Sequence, residues 1–167
     1  MRRRLRRRWL RRRLRRLILA YRDGMTHPTM FDGADPYLER VRAICLALPE
    51  ADEKVSHGRP NFFTRKVFAI YGGVIKGDHD PEPYRQALIV LPDEADRPAL
   101  LEDERFVVPG YYGPYGWLML DLRNPRGVEG VDWDEVGELV DTSYRRTAPA
   151  RLVRSLDDRP GPGSGNT

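Results

Sequence analysis

Short runs of aromatic and β-branched residues, separated by turn-forming residues, occupy the middle of this chain. Each run has the length and composition of a β-strand rather than of a helix. Short connections favour antiparallel order, because a parallel pair needs a crossover of a dozen or more residues. Gly72-Gly73 predicts a tight hairpin turn between two of the runs. The sequence therefore predicts an antiparallel sheet of about five or six strands. The runs are residues 61–64, 67–71, 74–76, 86–91 and 116–122.

Helices are predicted on both sides of the strand-rich region. The first runs from Pro36 to Leu48 and has Asp35 as its N-cap. A short helix covers 97–102, and the last helix begins with the capping-box pair Asp132 and Glu135. The predicted fold class is therefore α+β, with N-terminal and C-terminal helices and one short helix packed on an antiparallel sheet.

The chain has one cysteine, Cys45. Its position on the apolar face of the first predicted helix indicates a small buried hydrophobic residue rather than a reactive thiol. A single cysteine excludes an internal disulfide and a cysteine-rich metal site, and this usage suits a reducing, cytoplasmic location.

Positive charge is concentrated at the N-terminus. The first 22 residues hold twelve arginines and no acid, whereas residues 23–167 hold 17 basic and 25 acidic residues. The formal net charge of that longer part is therefore −8, so the basic pI of the whole chain does not describe its folded part. We expect an Arg-rich arm over 1–24, a single domain over 25–156, and a disordered Gly- and Pro-rich tail over 157–167.

The Arg-rich arm has two interpretations. One is that translation starts at Met25 or Met30 and that residues 1–24 lie upstream of the true start. The other is a tail that binds RNA, DNA or anionic lipid. The apolar run 17–21 is too short for a secretory signal, and no segment of the sequence is predicted to span a membrane.

His57 is the residue that most invites a catalytic interpretation, since it lies in Ser56-His57-Gly58-Arg59-Pro60. A serine nucleophile there would need a base and an orienting group that the fold brings together, and no G-x-S-x-G elbow is present. We favour a structural role in which the ring stabilises the turn that Gly58 permits.

Metal and cofactor signals are weak. The run Asp78-His79-Asp80-Pro81-Glu82 contains metal-ligand residue types, but contiguous ligands in a Pro-containing loop rarely converge on one ion. No P-loop or dinucleotide-binding fingerprint occurs. The sequence therefore predicts a solvated loop and neither a metal nor a cofactor.

Residues 108–117 contain four aromatic residues and three glycines. Such a loop either presents rings as a stacking platform for bases or a ligand ring, or plugs the end of the sheet with them. Arg59, Arg65, Lys66 and Lys76 come from neighbouring predicted strands and would supply a local positive patch.

Several segments together carry a family resemblance. In the first half they are Leu46–Pro49 (LALP), Lys54–Phe63 (KVSHGRPNFF) and Lys66–Ala69 (KVFA). In the second half they are Pro109–Trp117 (PGYYGPYGW) and Ser143–Leu152 (SYRRTAPARL). In this order they resemble the MmcQ/YjbR family over roughly 35–152. Actinobacterial members of that family typically begin near a Met-Thr-His-Pro, as at Met25 here.

The resemblance implies a bacterial protein with a compact α+β domain, often described as a double-wing fold. It also implies a presumed DNA-binding role and no established catalytic residue. The residues expected to contact phosphates are Arg59, Lys66 and Lys76, and those expected to stack on bases are Tyr112 and Trp117.

Two alternatives to DNA binding remain. One is a site for an anionic small molecule, with or without catalysis, built from His57, Arg59, Lys76 and Tyr111. The other is a protein-interaction module that has no ligand.

Overall fold

The computed structural model describes residues 28–159 of the chain. These residues form one sheet with helices packed on it. The predicted arm and residues 160–167 of the predicted tail lie outside this range. The helices are α1 (Pro36–Leu46), α2 (Arg97–Leu100), α3 (Trp133–Thr147) and α4 (Ala150–Asp157). The strands are β1 (Asp52–Ser56), β2 (Arg59–Phe63), β3 (Val67–Tyr71), β4 (Ala87–Val90), β5 (Phe106–Val107) and β6 (Leu118–Asp121).

The six strands form one antiparallel sheet in the order β1-β2-β3-β4-β6-β5. Neighbours in sequence are neighbours in the sheet except that β6 lies between β4 and β5. The predicted α+β class, with an antiparallel sheet and terminal helices, is thereby confirmed. No helix within 28–159 is long and apolar enough to cross a membrane.

One face of the sheet is covered by α1 and α3 and holds the main core. Cys45 of α1 is fully buried there, as predicted, and burial raises the pKa of its thiol. Ser143 of α3 is also fully buried; its hydroxyl donates to the Phe68 carbonyl oxygen at 2.5 Å and accepts from the Leu91 amide at 2.9 Å. One side chain thus joins α3 to β3 and to the residue that follows β4. Other residues of this core include Leu38, Val41, Phe62, Tyr71, Leu88, Val90, Leu118, Leu120, Val136, Val140 and Tyr144.

Asp35 connects the first helix to the sheet. As predicted, it is the N-cap of α1, and its Oδ1 accepts from the Tyr37 amide at 3.0 Å. Its Oδ2 accepts from the Tyr71 hydroxyl at 2.8 Å, and the Gln86 amide donates to the carboxylate at 3.2 Å. The carboxylate is buried, and these contacts satisfy it where an unpaired charge would be costly.

The other predicted helix cap is also present. The Asp132 carboxylate accepts from the Glu135 amide at 3.0 Å at the start of α3. Two elements have weaker local signals: α4 has no side-chain cap at Pro149, and β1 has the polar sequence DEKVS. The missing cap of α4 and the missing apolar alternation of β1 explain why neither element was predicted.

The connection after β3 differs from the prediction. Residues 74–76 are not a strand and form only a single bridge between Ile75 and Pro109. Proline has no backbone N–H, so the bridge cannot continue as a regular ladder. Gly72-Gly73 is not a hairpin turn either. A Cβ on Gly73 would lie only 2.4 Å from the Met119 sulfur, so the glycine is needed for close packing.

Replacing Asp35 by Ala should lower the free energy of unfolding by about 3 kcal/mol, because the change removes a helix cap and leaves the Tyr71 hydroxyl without its acceptor. The measurement is urea denaturation followed by circular dichroism. Asp32→Ala is the control, since that exposed carboxylate accepts only from the Ala34 amide. We expect this control to change stability by less than about 0.5 kcal/mol. Equal effects of the two substitutions would contradict the proposed connection.

Candidate functional site

The second face of the sheet is covered by loops instead of α-helices in the part of the chain that is described. It carries a small apolar cluster formed by Ile70, Ala87, Ile89 and Met119. Side chains from the loops 72–86 and 108–117 pack against this cluster. We call this surface the loop face. It lies opposite the main core.

Arg59 lies on the loop face. Asn61 is paired with Ile70, and residues two apart on a strand point to the same side, so Arg59 shares that side. The Arg59 side chain passes over Gly72, since a Cβ built there would be 3.6 Å from the Arg59 Nε. The guanidinium is partly buried, and this burial lowers the pKa of Arg59, while nearby Tyr112 acts in the opposite direction.

Arg59 lacks the acidic partner that several other arginines of the described residues have. Arg42 makes a two-pronged pair with Glu53, and Arg105 bonds both Asp103 and Glu135. Among residues 28–159, no side chain forms a hydrogen bond or ion pair with the Arg59 guanidinium. A partly buried cation without an acidic partner is well suited to binding an anion from outside.

Charge is unevenly distributed along the folded part. Residues 52–76, which form β1 to β3 and the start of the following loop, contain five basic and two acidic residues. Residues 93–104 and 132–141 together contain eleven acids and one arginine. The second of these segments belongs to α3, on the opposite face of the sheet. The net negative charge of the body therefore lies mainly away from β1 to β3.

The aromatic loop 108–117 contains two kinds of ring. Tyr112 and Trp117 are partly buried, with ring centroids 6.0 Å apart, and both pack on the apolar cluster of the loop face. Tyr111 and Tyr115 are 76% and 77% exposed. The two rings that the sequence predicts to stack on bases, Tyr112 and Trp117, are therefore the partly buried rings of the loop and not the exposed ones. Tyr115, which the sequence did not single out, is one of the two outward rings.

A groove of about 550 Å³ lies between residues 74–79 and 108–114. Its two walls are joined by the Ile75–Pro109 bridge and by the bond from the Gly110 amide to the Val74 carbonyl oxygen at 2.8 Å. Lys76, Asp78 and His79 provide polar groups on one wall, and Tyr111 lies on the other. The remaining lining is mostly apolar and includes Val74, Ile75, Val108, Pro109 and Pro114.

The predicted site residues fall into separate places. Arg59, Tyr112 and Trp117 share the loop face, and Lys76 and Tyr111 line the groove. Lys66 is exposed in the turn that follows β2, whereas His57 lies in the turn that precedes β2, so the two residues are at opposite ends of this strand. The groove that Lys76 and Tyr111 line is lined by neither His57 nor Arg59.

His57 occupies the two-residue turn between β1 and β2. Both His57 and Gly58 have positive φ, 52° and 76°, as a type I′ hairpin turn requires. The Ser56 hydroxyl lies 3.1 Å from the His57 Nδ1. This geometry supports the structural interpretation of His57. In the segments that the structure describes, no group of three or more His, Cys, Asp or Glu side chains is arranged to hold a metal ion.

The sequence of the segments that build the sheet and α3 matches a known family. The family model described as YjbR matches residues 46–146, which is more than half of the chain. The chain belongs to the YjbR family. The resemblance recognised in the sequence is thereby confirmed, and YjbR membership covers the loop face, the aromatic loop and most of α3.

A solved structure shares the YjbR-family fold. It is the crystal structure of Deinococcus radiodurans protein DR2400, which has a DUF419 domain. It is 16% identical to this chain, with a TM-score of 0.51, and the match covers 77% of this chain and 95% of that one. At this identity the likeness supports the fold alone. A search of curated proteins found no significant match.

The turn geometry predicts different effects of two substitutions at His57. His57→Ala should destabilise the domain, because alanine keeps the strained positive φ and loses the ring that contacts the Ser56 hydroxyl. His57→Gly should be more stable than His57→Ala by about 1 kcal/mol, since glycine adopts this conformation without steric cost. Thermal denaturation of both variants measures the difference. A more stable Ala variant would contradict the turn assignment.

Proposed function

We propose that the protein binds nucleic acid through its loop face, with Arg59 contacting a phosphate. The observation that carries the proposal is the partly buried guanidinium of Arg59, which lacks any acidic partner within 28–159. Arginine presents several donors in a planar arrangement that matches phosphate geometry. DNA is the nucleic acid that the family resemblance implies.

The surroundings of Arg59 favour a bound anion. The Asn61 amide donates to the Arg59 carbonyl oxygen at 2.9 Å and so fixes the backbone that carries the side chain. Partial burial lowers the local dielectric constant and strengthens the attraction between the guanidinium and a phosphate. Lys54 lies on the same side of the sheet, because it is paired with Asn61 across the first hairpin. Its ammonium group is 4.6 Å from the centre of the Phe63 ring.

The distribution of charge is compatible with a polyanion despite the acidic total. Neutralisation of phosphates by Lys and Arg supplies most non-specific affinity for DNA. The cationic segment 52–76 forms the part of the sheet around Arg59, whereas the acid-rich segment 132–141 covers the other face. The basic residues that a strand of nucleic acid would meet on the loop face are therefore those of 52–76, while the loop 72–86 on the same face carries the exposed carboxylates Asp78, Asp80 and Glu82.

The proposal is of binding rather than of catalysis. Ser56 and His57 are adjacent in sequence at an exposed hairpin turn, and His57 does not line the groove between residues 74–79 and 108–114. Acid–base work requires a substrate held against the base. The hairpin position instead favours a role in shaping the strand that carries Arg59.

Arg59→Gln should weaken binding of a mixed-sequence DNA by roughly tenfold, because the variant loses a charge-assisted contact with phosphate. It should also reduce the slope of log affinity against log salt by about 1. The measurement is fluorescence anisotropy at two salt concentrations, with a chain that begins at Met25 beside the full chain. Removal of residues 1–24 separates binding by the domain from binding by the arginine arm.

The matched control is Arg154→Gln, which alters an exposed arginine on α4. We expect this variant to bind within about twofold of the unmodified chain, since a distant surface charge adds little. If only the full chain bound DNA and Arg59→Gln had no effect, the proposal would be wrong. An anionic small molecule in the groove beside Lys76 would then be the next candidate.

A further inference from the structure

We infer that the preferred ligand is single-stranded nucleic acid, with an unpaired base held in the groove against Tyr111. This inference rests on the proposed function and specifies the class of nucleic acid. It depends on observations independent of Arg59: the shape of the groove, the outward rings and the position of Lys76.

The groove suits the flat face of a base. Its volume of about 550 Å³ lies within the range of small-ligand sites, and its lining is mostly apolar. A base in a duplex is stacked on both faces and paired at its edge, so it cannot enter such a groove without being flipped out. An unpaired base has both faces available, and stacking on an aromatic side chain is favourable for every base type.

Tyr111 is held outward by a strained backbone. Its φ is 62°, a conformation in which residues other than glycine are uncommon, and its side chain is 76% exposed. The bond from the Gly110 amide to the Val74 carbonyl oxygen fixes the preceding residue. A large ring that an uncommon backbone conformation keeps in water contributes little to packing, and strain of this kind clusters at binding sites.

A second exposed ring lies on the same loop. Tyr115 is 77% exposed and ends the short 3-10 helix Gly113–Tyr115. The partly buried pair Tyr112 and Trp117 packs on the apolar cluster of the loop face and so anchors the loop on the sheet. Two outward rings on an anchored loop provide stacking surfaces for successive bases, which is the common arrangement for single-strand binding.

Lys76 places a positive charge beside the groove. It is exposed, it lines the groove, and within 28–159 no carboxylate is paired with it. A nucleotide whose base lies against Tyr111 would therefore have a cation close to its phosphate. Lys76 is the groove's basic contact, and Arg59 is that of the adjoining loop face.

The experiment compares a single strand of about 12 nucleotides, within the usual length of such sites, with a duplex of the same sequence. Both are titrated into the full chain by fluorescence anisotropy. Tyr111→Leu should lower single-strand affinity by roughly tenfold and leave duplex affinity within about twofold, because only an unpaired base stacks on the ring. Tyr111→Phe is the matched control, since it keeps the ring; we expect it to bind both ligands within about twofold of the unmodified chain.

A second measurement does not depend on how much affinity the arginine arm contributes. The single strand is substituted with 5-bromouracil, irradiated in the complex, and the crosslinked peptides are identified by mass spectrometry. Crosslinks to Tyr111 or Tyr115 are expected with the single strand and not with the duplex.

The two possible failures are distinguishable. Equal or tighter duplex binding, unaffected by Tyr111→Leu and without crosslinks at these tyrosines, would overturn the single-strand inference. If Arg59→Gln still weakened binding in that case, the proposed function would stand. If neither Tyr111→Leu nor Arg59→Gln weakened nucleic-acid binding, both proposals would be overturned.

Discussion

The buried carboxylate of Asp35 determines the geometry on which both sides of the sheet depend. It caps α1, and it also bonds Tyr71 at the end of β3 and Gln86 just before β4. Tyr71 precedes the loop 72–86 and Gln86 is its last residue, so the Asp35 side chain connects the two ends of that loop. The loop then crosses to the other face of the sheet, where it forms one wall of the groove. The packing of α1 and the position of the groove are therefore connected through a single group.

The two faces of the sheet have different tasks. The helix-covered face contains the large buried residues and supplies most of the hydrophobic stabilisation. The loop face has only a small apolar cluster, and its loops carry the exposed tyrosines and Lys76. The large core on the opposite face can offset the cost of the strained and exposed residues of the loop face, and under the proposed function the two faces divide stability and binding between them.

Much of the fold was predictable because its signals are local. The caps at Asp35 and Asp132, and the buried position of Cys45, follow from spacing along single helices. β1 has a polar sequence without apolar alternation, and α4 has no side-chain cap. These local signals were therefore too weak to predict either element. The false strand at 74–76 has the composition of a strand, but its partner is Pro109, which cannot extend a ladder.

The site was predicted less completely. Arg59 and Tyr111 were identified by residue type, but their separation into a sheet face and a groove depends on topology. Tyr115 was missed because side-chain exposure within an aromatic loop is set by the 3-10 turn there and not by composition.

The buried thiol of Cys45 is a natural probe of how often the core of the domain opens. Thiol reagents react with the thiolate, and burial of Cys45 between α1 and the sheet raises the pKa of its thiol and excludes reagent. Labelling must therefore wait until α1 moves away from the sheet. The labelling rate reports how often the helix detaches, and ligand bound on the far side of the sheet should slow it only if the two faces open together.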